Sequence, residues 1–172
     1  LLVEDNEVNR ELMLEILGNA GIRADVAVNG AEAVEMAGHA DYDGVLMDCL
    51  MPVMDGYEAS RRIRADARHA ALPIIAMTAS AMAGDREKCI ASGMNEHITK
   101  PINIRQFFHT LARWVKPHFP LTETVAAAEP PVDTGAPRLA GVNTEEAMEY
   151  VNGNAVLYRK LLTLFREKQA DA

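Results

Sequence analysis

Val45-Leu46-Met47-Asp48-Cys49-Leu50-Met51-Pro52-Val53-Met54-Asp55-Gly56 is the stretch that decides how this chain folds. Three unbroken apolar residues end in an acid, the pattern of a short strand buried on both faces, as in a parallel sheet. Pro52 and Gly56 then open a loop, and the helix after it carries Ala59 and Ile63 inside and an arginine-rich outer face. Strand, loop and amphipathic helix make one βα unit.

Four more units surround it. Upstream, Leu1-Leu2-Val3 reads as a strand ending in Glu4-Asp5, and Val8, Leu12, Met13, Ile16, Leu17 and Ala20 follow at helical spacing, closed by Gly21. Ile22, Ala24, Val26 and Val28 alternate with polar or small residues, predicting a half-buried strand up to Asn29-Gly30, with an alanine-rich helix over 31–38. Downstream, Pro73 to Thr78 is an apolar strand, 82–91 a helix capped by Gly93, and His97-Ile98-Thr99 a fifth strand. Ile104, Phe107, Phe108, Leu111 and Val115 trace one stripe of a last helix. Such alternation implies right-handed crossovers and a parallel sheet covered on both faces. The fold class is α/β, a doubly wound (βα)5 sheet.

Composition narrows the function classes. The chain has 172 residues, 49% hydrophobic and 24% charged, with a formal net charge of −8, which suits a folded domain and excludes wholesale disorder. Acids outnumber bases on both sides of Pro117, which argues against nucleic-acid binding. No apolar run is long enough to span a membrane, and the start lacks a signal-peptide layout. Direct membrane contact is therefore not expected. Cys49 and Cys89 are too few for a disulfide framework; read as isolated thiols, they fit a reducing cytosol. The start at Leu1, inside an apolar run and without Met, is expected of a piece of a longer protein.

Five of the eight prolines (Pro117, Pro120, Pro130, Pro131, Pro137) cluster in one stretch, which reads as a linker over 117–138. Residues 1–116 are then one domain, and 139–172 a C-terminal helical segment.

In a doubly wound sheet, ligands bind beyond the carboxyl ends of the strands. Those ends carry Glu4-Asp5, Asp48, Thr78 and Lys100. Singly, each has an ordinary explanation: a helix N-cap, a solvated lysine, a strand-end threonine. Together they make a chemical set. Three carboxylates at one edge repel unless a cation intervenes, and Mg²⁺ accepts a few carboxylates with waters and a phosphate. A carboxylate is also a nucleophile toward phosphorus, while lysine and threonine suit phosphoryl oxygens.

The runs Val3-Glu4-Asp5-Asn6, Met47 to Gly56, Pro73-Ile74-Ile75-Ala76-Met77-Thr78-Ala79 and Lys100-Pro101 resemble the receiver domain of two-component response regulators, in order and spacing, over residues 1–116. The wording VEDNEVNR, MDCLMPVMDGYEA and GMNEHITKPI resembles receivers of hybrid sensor histidine kinases more than those joined to DNA-binding domains. The resemblance implies a flavodoxin-like receiver in which Asp48 accepts a phosphoryl group from a phosphohistidine. It implies that Mg²⁺ (or Mn²⁺) is held by Asp5, by Glu4 through water, by Asp48 and by the backbone carbonyl of Leu50. Thr78 and Lys100 would bind the phosphoryl group, and the Lys100-Pro101 bond would be cis. Implied partners are a histidine kinase domain or a histidine phosphotransfer domain, as donor or acceptor. The implied setting is cytoplasmic, with the parent protein anchored in the inner membrane.

Two positions depart from the family. His97 stands where the switch residue is usually Tyr or Phe, and Leu50 stands where hybrid-kinase wording has Gln. An apolar Leu50 cannot orient an attacking water.

In the tail, Asn143 or Thr144 can cap a helix from Glu145, with Glu146 placed for a capping box. Beyond Gly153, Leu157, Leu161, Leu164 and Phe165 form an apolar face that needs a partner. The run Ala147 to Phe165 resembles the opening of a histidine phosphotransfer domain; the alternative is a helix for homodimerisation. All five histidines precede Pro120, so the working histidine of such a domain is expected beyond Ala172.

Two other function classes remain. A Mg²⁺-dependent aspartate-nucleophile phosphohydrolase needs a second Asp at position 50, where Leu50 stands, and a cap insertion that these short loops lack. A phosphorylation-independent interaction module would not need the complete acid set.

Overall fold

A computed structural model of the chain describes residues 1–79 and 83–116. The linker over 117–138 and the helical segment over 139–172 lie outside the described residues. The elements are β1 (Leu2–Val3), α1 (Glu7–Asn19), β2 (Val26–Ala27), α2 (Gly30–His39), β3 (Val45–Asp48), α3 (Gly56–Ala65), β4 (Ile74–Thr78), α4 (Ala83–Ala91), β5 (Glu96–Thr99) and α5 (Ile104–Trp114). All strand pairs are parallel, in the order β2-β1-β3-β4-β5. The strand order reverses after β2, and this puts β3 in the middle of the sheet.

Successive residues of each strand serve opposite faces. Val3, Val45, Met47, Ile74 and Ala76 join Ala33 and Ala37 of α2, Ala59 and Ile63 of α3 and Cys89 of α4 in one core. Leu2, Leu46, Ile75, Met77 and Ile98 join Met13, Ile16 and Leu17 of α1 and Ile104, Phe107 and Leu111 of α5 in the other. The central strands are apolar without interruption because both faces are covered.

Local chemistry fixes where the helices begin. Asn6, Asn29, Asp55 and Asn103 each accept a backbone N–H from the first turn of α1, α2, α3 and α5. Gly21 and Gly93, after α1 and α4, take φ of +72° and +90°, the left-handed conformation that favours glycine.

Two expectations are corrected, and one element comes unannounced. The alternating run from Ile22 to Val28 pairs only at Val26–Ala27. This is an edge strand with one neighbour, and Ile22 and Val28 stay 40% and 39% exposed. The last helix ends at Trp114, and Val115 is its C-cap residue. A 3₁₀ turn at Ala67–His69, capped by Asp66, has no apolar periodicity to announce it.

Candidate functional site

Parallel strands bring the residues after β1, β3, β4 and β5 to one edge. Glu4 and Asp5 follow β1, Asp48 ends β3, Thr78 ends β4 and Lys100 follows β5. The bland explanation of these acids fails for α1 and α3, since Asn6 and Asp55 do the capping. Glu4, Asp5 and Asp48 are left for other work.

Their environments differ. Glu4 is completely buried, Asp48 and Thr78 are buried, and Asp5 is exposed. Burying a carboxylate is costly unless it is paired, and Glu4 is paired on both oxygens. Oε2 accepts from Lys100 Nζ at 2.7 Å, and Oε1 accepts from Asn9 Nδ2 at 3.0 Å and from the Asn6 N–H at 3.4 Å. The same Lys100 ammonium lies 2.6 Å from Asp48 Oδ2, whose other oxygen accepts the Leu50 N–H at 3.2 Å. Burial alone disfavours the Lys100 ammonium, but the bonds and charges of Asp48 and Glu4 outweigh it and hold the lysine above its ordinary range.

Ligand oxygens of Glu4, Asp5 and Asp48 all lie within 4.8 Å of one another. Three carboxylates against one ammonium leave two negative charges, the charge of one divalent cation. The donors are all oxygen, which fits a hard ion such as Mg²⁺. Among the described residues no cation pairs with Asp5, which leaves it available as a ligand.

The loop after β3 is held in an unusual shape. Val53 has φ of +67°, and the Met54 N–H donates to Pro52 O at 2.8 Å, the hydrogen bond of a γ-turn. A β-branched residue there is strained. Gly56 returns the chain under β3, where any side chain would run into the Asp48 carbonyl oxygen. The Leu50 side chain is 70% exposed.

Lys100-Pro101 is a cis peptide bond. Thr78 is in register with Thr99. His97 is in register with Ala76, two positions behind that edge; its Nδ1 is buried without a hydrogen bond, 3.5 Å from Glu96 Oε1. The structure does not bring His97 into the cluster of Glu4, Asp5 and Asp48.

Several residues escaped the sequence reading. Asn9 supports Glu4, and Arg10 donates to the backbone oxygens of Glu4 and Asp5 at 3.2 Å each. Each lies five positions after its acid, near the start of α1. The two cysteines are not isolated: their sulfurs are 3.9 Å apart. Burial pushes the Cys49 thiol up to about 12 and also raises that of Cys89, so neither rests as a thiolate.

Residues 1–112 match the family described as the response regulator receiver domain, and the chain belongs to that family, a module of phosphorelay signalling. Among curated proteins, it is 47% identical over 117 residues to two-component system protein A of Emericella nidulans, covering 66% of this chain and 17% of that protein. It is 40% identical over 129 residues to hybrid signal transduction histidine kinase B of Dictyostelium discoideum, covering 69% of this chain and 6% of that protein. The chain thus spans a small fraction of these relatives.

Among solved structures, the receiver domain of a Pseudomonas aeruginosa sensor histidine kinase is 44% identical, with a TM-score of 0.62 over 66% of this chain and 93% of that one. It holds a magnesium ion in its active-site cleft. A Saccharomyces cerevisiae response-regulator receiver, co-crystallised with its histidine phosphotransfer protein, is 30% identical, with a TM-score of 0.63 over 66% of this chain and 86% of that one. No helix among the described residues is long and apolar enough to cross a membrane.

Proposed function

We propose that this chain is the receiver of a hybrid sensor histidine kinase and that Asp48 is its phosphoacceptor. One observation carries the reading: Lys100 bridges Asp48 and Glu4, while a ligand oxygen of Asp5 lies within 4.8 Å of theirs. The Asp48 carboxylate attacks the phosphorus of a phosphohistidine, the imidazole leaves with the P–N bonding electrons, and an acyl phosphate remains. The acceptor's charge grows by about one unit at neutral pH. Lys100 Nζ, already on Asp48 Oδ2, is positioned to follow that charge onto a phosphoryl oxygen, and the Thr78 hydroxyl supplies a further donor. Asp5, Asp48, the Leu50 carbonyl and, through water, Glu4 would hold Mg²⁺. When bound, the ion neutralises the phosphoryl oxygens; Mn²⁺, with the same preference for oxygen, substitutes. Catalysis is by positioning and charge rather than by a general base.

The donor or acceptor is a histidine kinase or phosphotransfer domain, as the relatives' names suggest. The parent protein works in the cytoplasm or at its membrane face. Residues 1–116 form the receiver and 117–138 a linker, and 139–172 open a phosphotransfer domain or, alternatively, pair with a second copy. Leu50 supplies neither the second acid of a phosphohydrolase nor a group to orient water, which favours relay over hydrolysis.

With Mg²⁺ and acetyl phosphate, the chain should take up one hydroxylamine-sensitive phosphoryl group. Asp48→Asn should lose it, because an amide is a poor nucleophile. Undiminished labelling of that variant would sink the assignment.

A further inference from the structure

Cys49 and Cys89 come from different layers, yet their sulfurs lie 3.9 Å apart, with both residues buried at 1% and 0% exposure. Cys49 directly follows Asp48. Its N–H donates to Met77 O at 3.1 Å, and its carbonyl accepts the Gly56 N–H at 3.1 Å, so its backbone is clamped between β4 and α3. Cys89 lies near the end of α4, where its carbonyl accepts from Ser92 Oγ at 2.8 Å and from the Met94 N–H at 3.1 Å. We propose that this pair is an oxidisable dithiol, closing to a disulfide that ties α4 to the phosphoacceptor strand and slows phosphorylation.

A disulfide needs its sulfurs about 2.05 Å apart, so closure draws the two by roughly 2 Å beyond the contact already made. Side-chain rotation takes up part of this distance, and the remainder falls on α4 or on Cys49, the neighbour of Asp48. Either displacement disturbs the site, since the loop bearing Leu50 and the N–H that holds Asp48 Oδ1 starts at Cys49.

The oxidant is hydrogen peroxide, small enough to enter where bulky disulfides cannot. One sulfur attacks a peroxide oxygen, the O–O bond breaks, and a sulfenic acid and one water form. The second sulfur attacks the sulfenic sulfur, the S–O bond breaks, and a second water leaves with the thiol proton. Two electrons and two protons pass from the thiols to the peroxide. Enclosure makes the reaction slow, paced by openings of α4 away from the sheet.

The proposal depends on the acceptor reading only for its effect on phosphorylation. The test exposes the reduced 172-residue chain to hydrogen peroxide, alkylates the remaining thiols under denaturing conditions and maps the peptides by mass. In parallel, the rate of phosphorylation by acetyl phosphate with Mg²⁺ is followed before and after dithiothreitol. A Cys49–Cys89 cross-linked peptide and a several-fold slower, dithiothreitol-restorable rate are expected, with Cys89→Ser and Cys89→Ala insensitive to peroxide. Separate sulfinic or sulfonic acids, thiols left free while methionines oxidise, or a cross-link that leaves the rate unchanged would overturn it. A reduced chain that takes up no phosphoryl group would overturn the acceptor reading and the coupling, while the cross-linked peptide would still establish the dithiol.

Discussion

Lys100 and Asp48 are 52 positions apart in sequence, and Lys100 Nζ lies 2.6 Å from Asp48 Oδ2. The same ammonium reaches the buried Glu4, so one lysine answers two of the three carboxylates at the sheet edge.

Removing that lysine leaves a buried carboxylate without its counter-charge. Without divalent cation, Lys100→Met should lose about 1–3 kcal/mol of stability. Added Mg²⁺ should stabilise the variant more than the native chain, because ion and ammonium serve the same oxygens. Urea denaturation with EDTA and then Mg²⁺ checks this; equal Mg²⁺ effects on both proteins would count against shared carboxylates.

Asp5 is exposed and, among the described residues, has no cationic partner, so its loss should spare the fold. Asp5→Ala should melt no lower than the native chain in EDTA, since one like charge has gone from the cluster. Its Mg²⁺ affinity should fall about tenfold, equivalent to ~1.4 kcal/mol. Titration calorimetry reads this directly, and unchanged affinity would remove Asp5 from the ligand set.

Gly56 is required by close approach, because a methyl there meets the Asp48 carbonyl. Gly56→Ala should cost about 1–3 kcal/mol, as overpacking does. Phosphorylation should slow even where the variant is fully folded, since the relief must come from the backbone of Asp48. Urea curves and labelling rates together separate the two effects.

Asp66 accepts the Arg68 N–H at 2.9 Å and its guanidinium at 2.6 Å, and the Arg68 bonds hold the Asp66 carboxyl down at about 2. A depressed carboxyl stabilises the fold above its unfolded value near ~3.9 and loses that contribution as pH falls toward 2. Asp66→Asn should therefore be less stable at pH 7 and show a shallower fall between pH 4 and 2. Both effects should shrink in high salt, because the pair is exposed. Denaturant midpoints across that pH range measure it.

The central strands were legible because burial on both faces leaves no polar interruption in Val45–Met47 or Ile74–Met77. The edge strand was overread, since alternation reports a face rather than a hydrogen-bonded partner, and only Val26–Ala27 found one. Parallel alternation foretold which ends would meet. It could not foretell which acid would be buried, nor that Asn6 and Asp55 would free the acids from capping. The arginines of α3 read as an outer face, yet Arg64 turns inward to Gly93 O and Asn95 Oδ1 at 2.8 Å each. Contacts between layers, such as Arg64 with Asn95 or Cys49 with Cys89, depend on how α3 and α4 settle on the sheet, which no local pattern encodes.

Because β3 lies between β1 and β4, the site straddles a seam in the order of synthesis. Glu4, Asp5 and Asp48 all emerge before the exposed Ala70-Ala71 turn, and Thr78 and Lys100 after it. A chain halted at that turn carries all three of these carboxylates but not the ammonium that pairs with Glu4 and Asp48. The counter-charge of the cluster therefore arrives last, with the strand that pairs β5 to β4, and the balance of charge at this edge waits on the final βα unit.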